Sequence, residues 1–533
     1  MFTAAPSRGS VAALALLAML RVADASHPNV LHLISDDLRP QLGAYGQSAM
    51  LTPNLDGLAN SGLVFDTAYT QFAYCAPSRN SFMTGRRPER TKCLNFLTDF
   101  RKEHGASWIA MPQYFKNAGY FTSAAGKLYH DGMDDSASWS YPSNQTKWYG
   151  FPQVKGDKCD VPYPHDANYC EVTPSSEVPF TDEDLVLKEG LARMLLANAS
   201  GKPWWVGIGV HRPHWPSRVP QGWTGPEVYP GTIAPPKWPL GIPGAPYMSG
   251  AYQDGDYKNP ALGCPNCSAP TEQTVEYRRW YYAAVSYADH MLGKALDLLV
   301  SFGPAVYNNT IVVFHSDHGY QLGELNEWSK KTNTELATHV PLIIRAPWKG
   351  ASAGQRTAVR AELVDLYRTL VDLAGAPAGS VQPDVQGTSL APLFDDPAAP
   401  LPPSLASKSA FSQIGSCSCG TYTHVLPSGS NWTGLECNSN RCGGTPVNRS
   451  DFDFMGYSVR TPEGWRYTLW APMNHTTSRV DFSGTLYDEL YDQREDKGAD
   501  FDLDAYFFNV VSLYPAVSAA LRQELVAAVL SWY

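Results

Sequence analysis

Beyond residue 25 the chain has no apolar run long enough to cross a bilayer, which excludes a helical membrane span there. Charge is sparse, at 17% of residues, and basic groups are not in excess. Lysine and arginine total 41 against 51 acidic residues, a formal net charge of -10. That balance excludes nucleic acid and acidic membrane as main partners, so an anionic ligand must be drawn in by a local basic site. A hydrophobic content of 44% excludes intrinsic disorder. Cysteines number ten in 533 residues. The C-x-x-C of Cys264 and Cys267 has no second pair or histidine cluster nearby, so a disulfide is expected there rather than zinc.

What is present starts with a leader. Arg8, the apolar "VAALALLAML" (11–20) and the small-residue "ADA" (23–25) read as a secretory signal over residues 1–25, with the mature chain starting near Ser26. An oxidising compartment suits the cysteine groups 159/170, 264/267 and 417/419/437/442, which read as clips on surface loops. N-x-S/T sequons at Asn144, Asn198, Asn266, Asn308, Asn431, Asn448 and Asn474 agree with secretion. Cys75 and Cys93 are left over, a first indication that Cys75 is not bridged.

The length calls for a large domain and a lesser one. Four buried-strand patterns end in polar residues. "NVLHLIS" (29–35) ends in Asp36-Asp37, and "TIVVFHS" (310–316) in Asp317-His318-Gly319. "WWVGIGV" (204–210) runs into His211-Arg212-Pro213-His214, and "YFTSAAG" (120–126) into Lys127 and His130. Helical segments such as "YYAAVSYADHMLGKALDLLVSFG" separate them, which predicts an α/β fold with a mostly parallel sheet sandwiched by helices. Ligands in such sheets lie beyond the carboxyl ends of the strands, where all four polar clusters fall.

Singly, each cluster reads as a cap, a turn or surface charge. Jointly they do not, because three aspartates and a histidine on one edge repel unless a cation sits among them. Oxygen-rich sites of this kind take Ca²⁺ or Mg²⁺, and Ca²⁺ accepts irregular geometry better. Arg79, Lys127 and Lys330 then suit an anion bridging to the metal. "PSRNSFMTG" predicts a helix whose N-terminus favours negative charge.

Cys75-Ala76-Pro77-Ser78-Arg79, followed by "NSFMTGRRP", resembles the C-x-P-S-R signature of the sulfatase family, within the alkaline-phosphatase-like superfamily. "TPNLDGLANSGLVFDTAY" (52–69), "GKLYH" (126–130), "SDHGYQLGE" (316–324) and "THVPLIIRAP" (338–347) match in the expected order. "DLRPQLGAYG" (37–46), "HRPH" (211–214), "EWSK" (327–330) and "MGYSVRT" (455–461) resemble the iduronate-2-sulfatase branch. The resemblance spans about residues 28 to 510.

It implies a catalytic domain over residues 26–400 and a smaller C-terminal α+β domain over 401–533. "MGYSVRTPEGWRYTLWAP" and "GTLYDELYD" then supply an antiparallel sheet, and "AVSAALRQELVAAVLSWY" a terminal helix. It also implies that Cys75 is oxidised to Cα-formylglycine by a formylglycine-generating enzyme during synthesis. One Ca²⁺ is expected on Asp36, Asp37, Asp317, His318 and the modified Cys75. Arg79 and Lys127 would stabilise charge on the modified residue and the sulfate. His130 would help deprotonate its second hydroxyl, and His211 or Lys330 would protonate the leaving alcohol.

The implied substrate is a sulfated carbohydrate, with a terminal 2-O-sulfated uronic acid as the branch-level expectation. The implied location is the secretory pathway, secreted or lysosomal. Cys159 and Cys170 match a loop disulfide of the branch. Two departures fall near the pocket: Tyr320 replaces a usual tryptophan, and Leu325-Asn326 a His-Gly pair. Tyr320 is expected to wall the sugar, and Arg212, with Lys330 and Lys331, to meet a carboxylate unless it points to solvent. The competing readings are a phosphonate or phosphodiester hydrolase of the same superfamily and a secreted carbohydrate-binding relative without catalysis.

Overall fold

Val30, Leu31, Leu33 and Ile34 are wholly buried, so the first predicted strand is covered on both faces, as a central strand of an α/β sheet must be. In the computed structural model this strand, β1 (Asn29–Asp36), lies in a seven-stranded sheet. The structure describes residues 27–96, 99–130, 133–140, 161–163, 166–172, 182–224, 233–250, 271–377, 379–416, 419–425, 431–437, 452–474, 476–477, 479–496, 501 and 507–533. The leader, the C-x-x-C and the bridging of the clip cysteines fall outside them.

The other strands are β2 (Leu63–Phe65), β3 (Phe121–Gly126), β4 (Trp204–Pro213), β5 (Thr310–Ser316), β6 (Leu342–Arg345) and β7 (Gln355–Thr357). Their order is β7-β2-β6-β5-β1-β4-β3. β3, β4, β1 and β5 pair in parallel, and β6 alone runs against its neighbours β5 and β2. The mostly parallel expectation is borne out, with β6 as its one reversal.

Helices cover both faces. α1 (Cys75–Thr84) and α4 (Leu366–Leu373) pack on one side through Phe82, Met83, Leu370 and Val371. α2 (Asp182–Ala199) and α3 (Thr271–Ser301) pack on the other through Met194, Tyr281, Val285 and Leu292. Burying each such side chain contributes about 1.5–3 kcal/mol, which holds these helices to the sheet, α3 included despite its tyrosines of modest helix propensity.

Register then gathers the strand ends. Asp36 pairs with Pro213, Ser35 with Ser316, and Gly126 with Gly209, so residues 36–37, 127, 211–214 and 317–318 leave the sheet at one edge.

Past residue 400 the chain builds a second, antiparallel sheet of β8 (Ala410–Ser416), β9 (Phe454–Arg460), β10 (Trp465–Asn474), β11 (Arg479–Val480) and β12 (Tyr487–Asp492). α5 (Pro515–Ser531) covers it through Leu521, Leu525 and Val529, against Tyr457, Val459 and Leu469. Phe72 and Leu94 from the first unit join this core, and Phe72 bridges to Gln413. The second sheet therefore packs beside α1. No helix among the described residues is long and apolar enough to cross a membrane.

Candidate active site

Cys75 opens α1, entered from an extended Tyr74 and closed by Gly85 at φ 64°, and all ten residues of the helix are buried. Cys75 and Cys93 are buried, and neither is disulfide-bonded. The Cys75 Sγ faces the gathered strand ends: it lies 3.6 Å from Asp36 Oδ1, 3.4 Å from His318 Nε2 and 3.4 Å from Lys330 Nζ. Burial, reinforced by Asp36, pushes this thiol up to about 11. At neutral pH roughly one in ten thousand such thiols is ionised, so the unmodified side chain is a poor nucleophile.

Around it, opposite charges are interleaved. Arg79, one helical turn on, donates from Nε to Asp317 Oδ2 at 2.9 Å, from Nη2 to Asp36 Oδ1 at 3.1 Å, and from Nη1 to the Lys127 carbonyl. Lys127 Nζ reaches Asp36 Oδ2 at 2.5 Å, and Lys330 Nζ reaches Asp37 Oδ1 at 2.5 Å. Burial alone would raise the Asp36 carboxyl, but Lys127, His214, Arg79 and His211 hold it well below the usual range. Asp37 goes the other way: burial lifts it to about 8 against the pull of Lys330 and His318.

Lys127 is placed by two glycines. Gly126 sits at φ 74°, and a Cβ on Gly209 would lie 2.1 Å from the Lys127 carbonyl oxygen. Only bare backbones let β3 and β4 close in this way.

His318 Nδ1 donates to the Gly319 carbonyl at 3.0 Å, and its Nε2 turns to Asp37 Oδ1 at 3.3 Å and Asp317 Oδ2 at 3.6 Å. A ring nitrogen and two carboxyl groups turned to one point are a donor set that a cation can take. Ligand atoms of Asp36, Cys75, Asp317 and His318 lie within 4.8 Å of one another, as do those of Asp36, Asp37, Cys75 and His214.

The rim carries the remaining groups. His211 and His214 stack at 4.3 Å, with His211 Nε2 3.6 Å from Asp36 and His214 Nε2 3.8 Å from Asp37. Their side chains are 25% and 16% exposed, the most open of the cluster. Burial, with Lys127 at His211 and Lys330 at His214, pushes both imidazoles well below 6.5. His130 stacks on Phe96 at 3.8 Å, and Phe96 stacks on Tyr74 at 4.1 Å, a ring column beside the Cys75 backbone. Burial and Lys127 push His130 down to about 2.

All ten expected residues thus lie at this edge or on its rim. His214 was quoted in "HRPH" but given no role; the H-x-x-H spacing at a strand end was the signal for it. Tyr320 departs from expectation. It is 1% exposed and stacks on Tyr281 at 5.2 Å, so it lies behind the site and walls no sugar. Arg212 does not reach solvent either: it is buried and its Nε donates to the Arg218 carbonyl. Leu325 and Asn326 are buried in left-handed turns at φ 60° and 57°, with Leu325 packed in a small cluster with Leu336 and Phe507.

A family model described as Sulfatase matches residues 28–376. Iduronate 2-sulfatase of Homo sapiens is 33% identical over 522 residues, covering 87% of this chain and 88% of its own. The Mus musculus protein is 31% identical over 519 residues with the same coverage. Among solved structures, phosphonate monoester hydrolase from Silicibacter pomeroyi superposes with a TM-score of 0.65 at 21% identity, over 95% of this chain and 96% of its own. An enzyme bound to its substrate D-glucosamine-2-N,6-O-disulfate gives 0.62 at 21% identity, over 95% and 98%. At these identities the structural likeness is one of fold.

Proposed function

Because the chain belongs to the sulfatase family and is a sulfuric ester hydrolase, we propose that it removes 2-O-sulfate from a terminal uronic acid of a sulfated polysaccharide. The observation that carries this reading is the convergence of carboxylates, cations and a buried Cys75 within hydrogen-bond reach at one sheet edge. Identity of 33% to human iduronate 2-sulfatase across most of both chains supports the uronate. So does the location of His211, His214 and Lys330, from the branch-level motifs, around Cys75.

The donor set fits a hard divalent cation, and calcium is the ion proposed. Asp36, Asp37, Asp317, His318 and the modified Cys75 would hold it, and bound there it supplies a Lewis acid for a sulfate oxygen. Cys75 is proposed to be oxidised to Cα-formylglycine by the generating enzyme. Its hydrate supplies two hydroxyls on one carbon: one forms the S–O bond as the sugar alcohol leaves, and deprotonation of the other restores the aldehyde as sulfate departs.

The chain's own residues do the rest. Arg79 is fixed by three acceptors and keeps positive charge under the reacting oxygens. Lys127, paired with Asp36, and Lys330, paired with Asp37 and 3.4 Å from the Cys75 Sγ, bind sulfate oxygens. His130 is proposed to accept the proton of the second hydroxyl, a role that requires the bound anion to raise its pKa from the value of about 2 in the free site. The leaving alcohol departs through the open rim, which makes His211 the general acid, with the bound sulfate raising its pKa. The leader and sequons support a location in the secretory pathway, secreted or lysosomal.

The test compares kcat/KM for a 2-O-sulfated iduronoside, its glucuronate epimer, a 6-O-sulfated glucosaminide and a phosphonate monoester. A preference of at least about tenfold for a 2-O-sulfated uronoside, or ~1.4 kcal/mol of transition-state binding, is expected. A winning hexosamine overturns the uronate reading, and a winning phosphonate the sulfate reading.

A further inference from the structure

Asp37 holds a left-handed backbone at φ 64°, a conformation that non-glycine residues keep only when neighbouring groups fix it. Three bonds do so. Its N–H donates to Asp317 Oδ1 at 3.2 Å, and the next N–H, of Leu38, donates to Ser316 Oγ at 2.8 Å. The third comes from outside every site motif. Tyr281, in the middle of α3, donates its phenol O–H to the Asp37 carbonyl at 2.8 Å and accepts the Arg39 N–H at 3.2 Å. That one hydroxyl spans both ends of the turn. The Tyr281 ring is itself immobilised, 2% exposed and stacked on Tyr320 at an interplanar angle of 12°.

We infer that Tyr281 is a positioning residue for the proposed cation site, setting the turn that aims the Asp37 carboxylate at Lys330 and His318. The inference rests on the calcium reading above. It also gives Tyr320 a place: its ring backs Tyr281 rather than the substrate. A phenylalanine at 281 would keep the packing and remove the clamp, leaving the buried Asp37 carbonyl without its donor and the turn free to relax.

The experiment is a calcium titration of chelator-stripped protein by calorimetry, with thermal scans with and without calcium, on wild type, Tyr281→Phe and Tyr287→Phe. Tyr287 is the control: it lies on the same helix, and its hydroxyl donates to Asp184 Oδ1 at 3.1 Å, away from the site. Tyr281→Phe is expected to weaken calcium binding by about tenfold or more, a typical loss for a residue that orients a ligand. Its calcium-induced rise in Tm should shrink, and saturating calcium should restore turnover. Tyr287→Phe should match wild type in both. A Tyr281→Phe dissociation constant equal to that of wild type overturns the inference while leaving the calcium reading intact. Wild type that binds no calcium overturns both.

Discussion

At Cys75 burial and Asp36 push the thiol up to about 11, which leaves the unmodified side chain a poor nucleophile. Cys75→Ser is therefore expected to lose sulfatase turnover to background while keeping its melting temperature. Serine fits the space but offers a single hydroxyl, and wild-type-like turnover would contradict the proposed chemistry. The acid is tested by leaving group. His211→Asn should cost about 10²–10⁴-fold on a sugar sulfate and far less on an aryl sulfate whose phenolate needs no proton. Equal losses on both would remove His211 from that role. Most of these residues were legible because chemistry-bearing types cluster in short motifs. Tyr320 departs from its reading, since adjacency in sequence does not say whether a side chain turns toward the pocket or behind it. Tyr281 was invisible, because a tyrosine in an apolar helix reads as core until its hydroxyl is seen to meet the Asp37 carbonyl.

Strands and helices set what those residues can do. The four strand ends were readable because a continuous apolar run that stops in Asp, His or Lys gives both the strand and its edge. The reversed direction of β6 was not, since "THVPLIIRAP" has the same apolar pattern whichever way it pairs. At the β3–β4 contact, Gly209 was hidden inside a strand motif, and its importance is purely spatial. Gly209→Ala would drive a methyl into the Lys127 carbonyl. It is expected to lower kcat by about 100-fold through displacement of Lys127 and to cost about 1–3 kcal/mol of stability. Activity assays and urea unfolding on one preparation check both, and a silent variant would show that Lys127 is not held by this contact.

Across the whole molecule, buried ion pairs join segments far apart in sequence, and one of them ties the two sheets together. Glu335 binds Arg466 of β10 at 2.6 Å and Tyr69 of the first unit at 2.7 Å, while Glu324 binds Arg39 and Arg278. Burial would raise both carboxyls, yet their arginines hold each at about 2 against an ordinary 4.5. A depressed acid stabilises the fold fully above its unfolded pKa and loses that contribution as pH falls through the folded value. Each glutamate should thus contribute about 3 kcal/mol that disappears between about pH 4.5 and pH 2. Urea unfolding across that range should show a steep loss in wild type and a shallower one in Glu335→Gln. Identical slopes would mean that the pair does not govern acid stability.

The most direct measurement of the central claim is the mass of the peptide carrying residue 75, taken from purified protein that releases sulfate. The expected result is the aldehyde in place of the thiol, in a fraction that tracks specific activity between preparations. A fully unmodified cysteine in protein that still hydrolyses sulfate esters would contradict it.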